Sequence, residues 1–223
     1  EVRRGLRLGM AARNVFPVLC VSGKENIGVG RLMEFITFNV PSPTEALHAK
    51  TLVSGEKITF NEAAPTTLFV FKTANETHVG NIVYMKVMSG ELAEGMDVVN
   101  STNEGKERIA QIFVNSGKTR TKIEKAAAGD IISTIKLKDV STNDTLTSTK
   151  NIGDKLNEIK FPEPIYTTAI KAVDSADDEK LGMVLNEYAS NDCSLKVEIA
   201  RELKQTIISA MGEYHVNTLK WYL

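Results

Sequence analysis

Cysteine, histidine, tryptophan, proline and long apolar runs are all scarce in this 223-residue chain, and each shortage excludes something. The two cysteines, Cys20 and Cys193, are far apart and each lies in or beside an apolar run. They read as small buried hydrophobes rather than as a bridge or a metal pair. The three histidines, His48, His78 and His215, lack ligand-like spacing, so no metal site is expected. No apolar run approaches the roughly 18 residues of a membrane helix. The stretch Glu1 to Met10 carries both signs of charge and lacks a signal-peptide core. A cytoplasmic protein without a membrane partner is the expectation. With a net charge of −1, binding to polyanions cannot be driven by global charge, although a local basic face remains possible.

What is present is an ordinary globular composition, 42% hydrophobic and 25% charged, long enough for one large domain or two medium ones. Proline occurs only six times, and most instances mark joints. Residues 1–43 read as helix, strand, helix. Phe16-Pro-Val-Leu-Cys-Val21 has the continuous apolarity of a strand buried on both faces of a parallel sheet, and Leu32, Phe35 and Ile36 give a helix over 29–40 an apolar stripe. One such unit cannot bury a parallel strand alone, so the segment reads as the tail of an α/β domain. Glu1 to Ala12 reads as a helix already under way, which fits a cut fragment better than a natural terminus. Residues 44–157 are rich in β-branched and aromatic runs divided by Gly80, Gly90, Gly95 and Gly105, the pattern of a closed antiparallel β-barrel. Residues 158–223 read βαββα, one strand short of a ferredoxin-like α+β unit. Ser175 with Asp178 forms an expected N-cap pair, and Leu181, Val184, Leu185 and Tyr188 form one helical stripe. Val216, Leu219 and Leu223 share a face of the last helix.

The run Gln205-Thr-Ile-Ile-Ser-Ala-Met-Gly-Glu-Tyr-His215 writes strand, turn and helix start into a few residues. It resembles the third domain of elongation factor G, the ribosomal translocase, as do Pro162-Glu-Pro164 and Asp177-Asp-Glu-Lys-Leu181. Phe69 to Thr73, Gly80 to Val87, Ser89-Gly90-Glu-Leu92, Ala128-Gly-Asp-Ile131 and Asn143-Asp-Thr-Leu146 are similar to the second domain, the β-barrel of translational GTPases, with Asn143 where the family has Gly. Cys20-Val-Ser-Gly-Lys-Glu-Asn-Ile-Gly-Val29 is similar to the last guanine-nucleotide motif of the G domain. The order is collinear. Lys204, Ala210 and Tyr214 depart from the family's Gly, Gly and Leu.

The resemblance implies a chain made of the end of a G domain, domain II and most of domain III, from a GTP-driven factor. It assigns Ser22, Gly23 and Lys24 to an incomplete guanine-base site. By itself Ser-Gly-Lys after a strand reads as a plain turn, and Lys24 as solvated; the collinear setting is what favours the guanine-base reading. No Gly-x-x-x-x-Gly-Lys-(Ser/Thr) and no Asn-Lys-x-Asp occurs in the sequence, so the chain is expected to be no enzyme and to hold no cofactor. GTP and Mg2+ would belong to the longer protein, with the ribosome as partner and a monomeric state. Lys118, Arg120, Lys122 and Lys125 are the candidate RNA contacts; a solvated strand face is the competing reading, because no aromatic residue is interleaved. His215 reads as a structural histidine on a helix face and Glu213 as a first-turn acid favoured by the helix dipole. The alternatives to a translocase are a ribosomal protection factor and a stand-alone RNA- or protein-binding barrel.

Overall fold

The structure, a computed structural model, describes residues 2–45, 50–53, 55, 57–58, 60–76, 79–148, 155–200 and 205–223. His48, His78 and Lys204 lie outside the described residues. The N-terminal segment comprises α1 (Val2–Ala11) and α2 (Val29–Asn39). The two helices touch, with the Arg3 guanidinium 5.0 Å from the Phe38 ring centroid. Past α2, Arg7 pairs with Glu45, which also accepts the Ser42 N–H at 2.9 Å. That backbone bond, aided by Arg7, lowers the Glu45 carboxyl from its ordinary value.

Phe16 to Val21 does not form the expected strand. The run is without regular structure, and Phe16 and Val18 are 77% and 92% exposed. The physical reason is the one its apolarity implied: such a strand needs paired neighbours on both edges and cover on both faces, and none pairs with it among the described residues. Cys20 sits on this run and is exposed, as is Cys193, so the expectation of two buried thiols fails for both.

Next come β1 (Lys50–Thr51), β2 (Lys57–Ile58), β3 (Thr67–Glu76), β4 (Gly80–Ser89), β5 (Glu91–Ala93), β6 (Met96–Asn100), β7 (Lys106–Ile109), β8 (Ile112–Ser116), β9 (Thr119–Ile123), β10 (Lys125–Ala127), β11 (Ile131–Ile135) and β12 (Thr145–Ser148). Eight of them form one antiparallel sheet in the order β7-β6-β12-β3-β4-β11-β8-β9, while β5 pairs with β10 and β1 with β2. The sheet curls around a core that includes Leu68, Met85, Leu92, Ile112, Ile132 and Leu146. Among the described residues its ladder is not closed, since the edge strands β7 and β9 do not pair with each other. The expected cylinder is therefore a half-barrel whose apolar contents, rather than a continuous ring of hydrogen bonds, complete it.

Regular alternation in β3 turns Phe69 and Phe71 to the outer face, where they cluster with Leu52, Met88 and Leu156, and a bulge between Val70 and Lys72 then brings Lys72 to that same face. The Asn143-Asp-Thr-Leu146 motif carries one task per residue. Asn143 takes φ 80°, the left-handed geometry that asparagine tolerates in place of glycine. The Asp144 carboxylate accepts from the Ser141 N–H and the buried Asn100 amide, each at 2.8 Å. Thr145 Oγ1 accepts the Leu156 N–H at 3.0 Å, and Leu146 is fully buried.

The C-terminal unit runs β13 (Tyr166–Ile170), α3 (Asp178–Asn191), β14 (Lys196–Ala200), β15 (Gln205–Ala210) and α4 (Glu213–Tyr222), the expected βαββα order. Its sheet has the order β13-β15-β14, all antiparallel. Both helices pack on one face, through Leu185 from α3 and Val216 and Leu219 from α4 against Ile208 and Ala210. Leu223 is 47% exposed and adds little to the α4 stripe. The N-cap position of α3 falls at Asp177 rather than at the expected Ser175, whose side chain lies outside the described residues. A 3-10 turn over Ser175–Asp177 leads into α3, the Asp177 side chain makes no capping hydrogen bond, and Asp178 accepts the Ala172 N–H at 3.3 Å.

Candidate functional site

The loop after the exposed apolar run is a tight reversal. Ser22 and Ile27 exchange backbone hydrogen bonds of 3.0 Å in both directions, and Ser22 Oγ accepts the Glu25 N–H at 3.2 Å. Asn26 and Gly28 take positive φ, which turns the chain into α2. Gly23 and Lys24 form the exposed tip, and an added Cβ at Gly23 would meet nothing within 4 Å. Ser22, Gly23 and Lys24 are thus brought together as a plain turn whose hydroxyl is already used. They supply no phosphate cradle and no Mg2+ ligand set, so they do not fit a whole nucleotide, and no reaction step follows from them.

The basic run lies across β9 and β10 on the rim of the half-barrel. Glutamates from earlier strands meet three of its four cations: Arg120 pairs with Glu76, Lys122 Nζ with Glu94 at 2.7 Å, and Lys125 Nζ with Glu91 at 2.7 Å. The Glu91 hydrogen bond and charge hold the Lys125 ammonium above its ordinary value. Only Lys118, at the exposed β8–β9 turn, has no acidic partner among the described residues. The strip that reads as basic in sequence is close to neutral in space. Exposed pairs of this kind add little stability, but they do cancel the field that a phosphate backbone would meet.

Aromatic rings interleaved with cations do occur, on the outer face of β3 and β4. Lys72 Nζ lies 5.9 Å from the Tyr84 ring and Lys86 Nζ 4.8 Å from Phe60. Sequence reasoning missed them because the partners are distant in the chain and the β3 bulge shifts the register. Lys86 and Phe60 line a cleft of about 780 Å³ between this face and the N-terminal segment, whose other walls include Met10, Arg13 and Pro43.

His215 stands in α4 over the end of α3. Its Nε2 is 3.2 Å from Asp192 Oδ2, and its Nδ1 faces the Met211 N–H at 3.4 Å. Partial burial works to raise the Asp192 carboxyl, but hydrogen bonds from the Ser194 hydroxyl and N–H, with His215 beside it, leave it below its ordinary value. Asp192 also ends α3, its N–H bonding to the Tyr188 carbonyl. The pair ties two helices together, the structural role expected of His215.

A curled antiparallel half-barrel followed by a βαββα layer defines a two-domain segment of the translation-factor type. Residues 65–149 match the family of elongation factor G domain 2, and residues 161–223 match elongation factor G, domain III. The chain belongs to the elongation factor G family. It is also similar to the crystal structure of a protein from Thermus thermophilus, at 25% identity and a TM-score of 0.79 over 97% of this chain. The chain spans 31% of that protein's length.

Proposed function

We propose that this chain serves within a translation elongation factor that acts on the ribosome and promotes GTP-dependent movement of tRNA and mRNA. The reading rests on one observation above all: domains of the elongation factor G type occur in collinear order, 2 then III, in a single chain. In this reading residues 1–43 are the end of a G domain, residues 44–157 domain II, and residues 158–223 domain III. The nucleotide chemistry lies outside these residues. The half-barrel and the α+β layer would carry the nucleotide state mechanically toward the ribosome, in a monomeric cytoplasmic factor.

The test is single-turnover translocation by the whole protein on programmed ribosomes, with GTP and with a non-hydrolysable analogue. GTP-dependent movement supports the reading. Release of a drug-stalled ribosome without movement would replace it with a protection factor. For the 223-residue chain alone, titration calorimetry should give no heat with GTP and Mg2+; micromolar binding would overturn the assignment of the nucleotide site to residues outside it.

A further inference from the structure

The two family domains meet through a short polar junction. Thr73 Oγ1 donates to the Ser190 carbonyl at 3.2 Å, with the Thr142 hydroxyl 3.3 Å away, and Asn75 Nδ2 donates to Glu187 at 2.8 Å. Next to Thr142, the Asn143 carboxamide grips the connecting segment at two points. Its Nδ2 donates to the Ile159 carbonyl at 3.0 Å, and its Oδ1 accepts the Ile159 N–H at 2.9 Å. A primary amide carries one donor edge and one acceptor edge, so it stands in for the peptide group of a neighbouring strand.

We propose that Asn143 is a positioning residue that sets where domain III leaves the half-barrel. Residues 155–165 form no ladder apart from the isolated Leu52–Leu156 bridge. Leu156 is 1% exposed and is the preceding anchor on the barrel. Beyond Ile159 the next backbone bond is that of the Ile165 N–H to the Ala210 carbonyl, 3.1 Å, already inside domain III. Between these anchors Pro162 and Pro164 stiffen the chain. With the Asn143 pair in place the connection between backbone anchors is residues 160–164, in which only Glu163 is held by a side chain, to Lys196 of β14; at ~3.1 Å per residue it reaches about 15 Å. Without it the connection grows to residues 157–164 and about 25 Å. Glycine, the residue of the resembling motif, would keep the φ of 80° and lose both bonds. Asn143 therefore converts a turn that needs only a left-handed residue into a fixed point for interdomain motion.

Pulsed electron–electron double resonance on the full 223-residue chain tests this. Spin labels go on Thr121→Cys in β9 and Lys180→Cys in α3, both exposed, with Cys20→Ser and Cys193→Ser removing the native thiols. Asn143→Gly should widen the distance distribution about twofold. Asn143→Asp keeps an acceptor for the Ile159 N–H and loses the donor, so it should fall between the two. Should Asn143→Gly lose the barrel's circular dichroism, the Asp variant decides alone. Distributions of native width in the folded variants overturn the proposal, because the Thr73 and Asn75 bonds would then suffice.

Discussion

Replacing Gly90 with alanine should unfold the half-barrel early while leaving domain III in place. Gly90 links β4 to β5 at φ 73°, and its N–H donates to the Asn61 carbonyl at 2.7 Å. The chain of residues 61–66 crosses directly above it. Thr66 Oγ1 donates to the Glu91 carbonyl at 2.8 Å and Ser89 Oγ to the Pro65 carbonyl at 2.7 Å. A Cβ on Gly90 would lie 2.6 Å from Thr66 Cα and 2.7 Å from both the Ala64 carbonyl oxygen and the Thr66 nitrogen. All three are backbone atoms, so no rotamer change relieves the overlap.

Two penalties combine. A side chain at positive φ costs about 1 kcal/mol. Forcing a tightly packed backbone apart costs about 1–3 kcal/mol. Their sum of about 3 kcal/mol is a large share of the stability of a domain this size. At ~4–8 °C per kcal/mol the barrel transition should fall by roughly 12–24 °C. Gly80→Ala isolates the first penalty, because Gly80 has φ 82° and nothing within 4 Å of an added Cβ. It should cost only about 1 kcal/mol. The two domains can be followed separately: the single tryptophan, Trp221, lies in α4 of domain III, so the dichroism transition that Trp221 fluorescence does not share reports the half-barrel. If Gly90→Ala shifts the dichroism transition no further than Gly80→Ala does, the close crossing at Gly90 is refuted.

Acid should loosen domain III through Asp192. Its folded carboxyl is held below the ordinary value, so its contribution is fully present above about pH 4 and is lost as pH falls through the depressed folded value. The urea midpoint read by Trp221 should drop on acidification below pH ~4 in the native chain and drop less in Asp192→Asn; equal slopes would remove Asp192 from the account. On the proposed reading of the rim as a ribosomal RNA contact, Lys118→Glu should weaken binding of the chain to ribosomal RNA several-fold at low salt. Lys122→Glu also loses its pairing with Glu94 and should act at least as strongly if the pair opens on RNA, but only weakly if Lys118 alone meets phosphate. Filter binding across a salt series separates these, and no change in either variant rejects the rim as an RNA contact. Ile208→Ala, emptying a fully buried position under α3 and α4, should cost domain III about 2–5 kcal/mol and leave the half-barrel transition, the one Trp221 does not share, unmoved.

Sequence made the local elements legible and the long-range ones not. The stripe Leu181, Val184, Leu185 and Tyr188 placed α3, and glycine spacing divided the barrel, because both signals lie within a few residues of each other. The ion pairs of β9 and β10 escaped because Glu76, Glu91 and Glu94 come from other strands and meet the cations only once the sheet has curled. The Asn143 geometry was readable as a left-handed turn, whereas its grip on Ile159 depends on where the connection returns. The shift of the N-cap from Ser175 to Asp177 has a similar origin, since the 3-10 turn spends Ser175 before α3 begins.

The exposed run at Phe16–Val21 and the buried strands of the half-barrel show the same chemistry with opposite outcomes. Val83, Met85 and Val87 on β4 are fully buried because β3 and β11 satisfy both backbone edges and the curl supplies an apolar floor. Phe16, Val18 and Val21 are as apolar, yet they lie 45–92% exposed, without a ladder on either side. Apolarity alone therefore does not form a strand; it marks a segment whose free energy falls only once its peptide groups are paired. The Ser22–Ile27 bridge and α2 persist beside this run because their hydrogen bonds are local. A strand joining Phe16–Val21 edge to edge would satisfy its peptide groups, and only layers packed on both faces would cover its side chains, whereas the Ser22-Gly23-Lys24 turn already stands on local bonds.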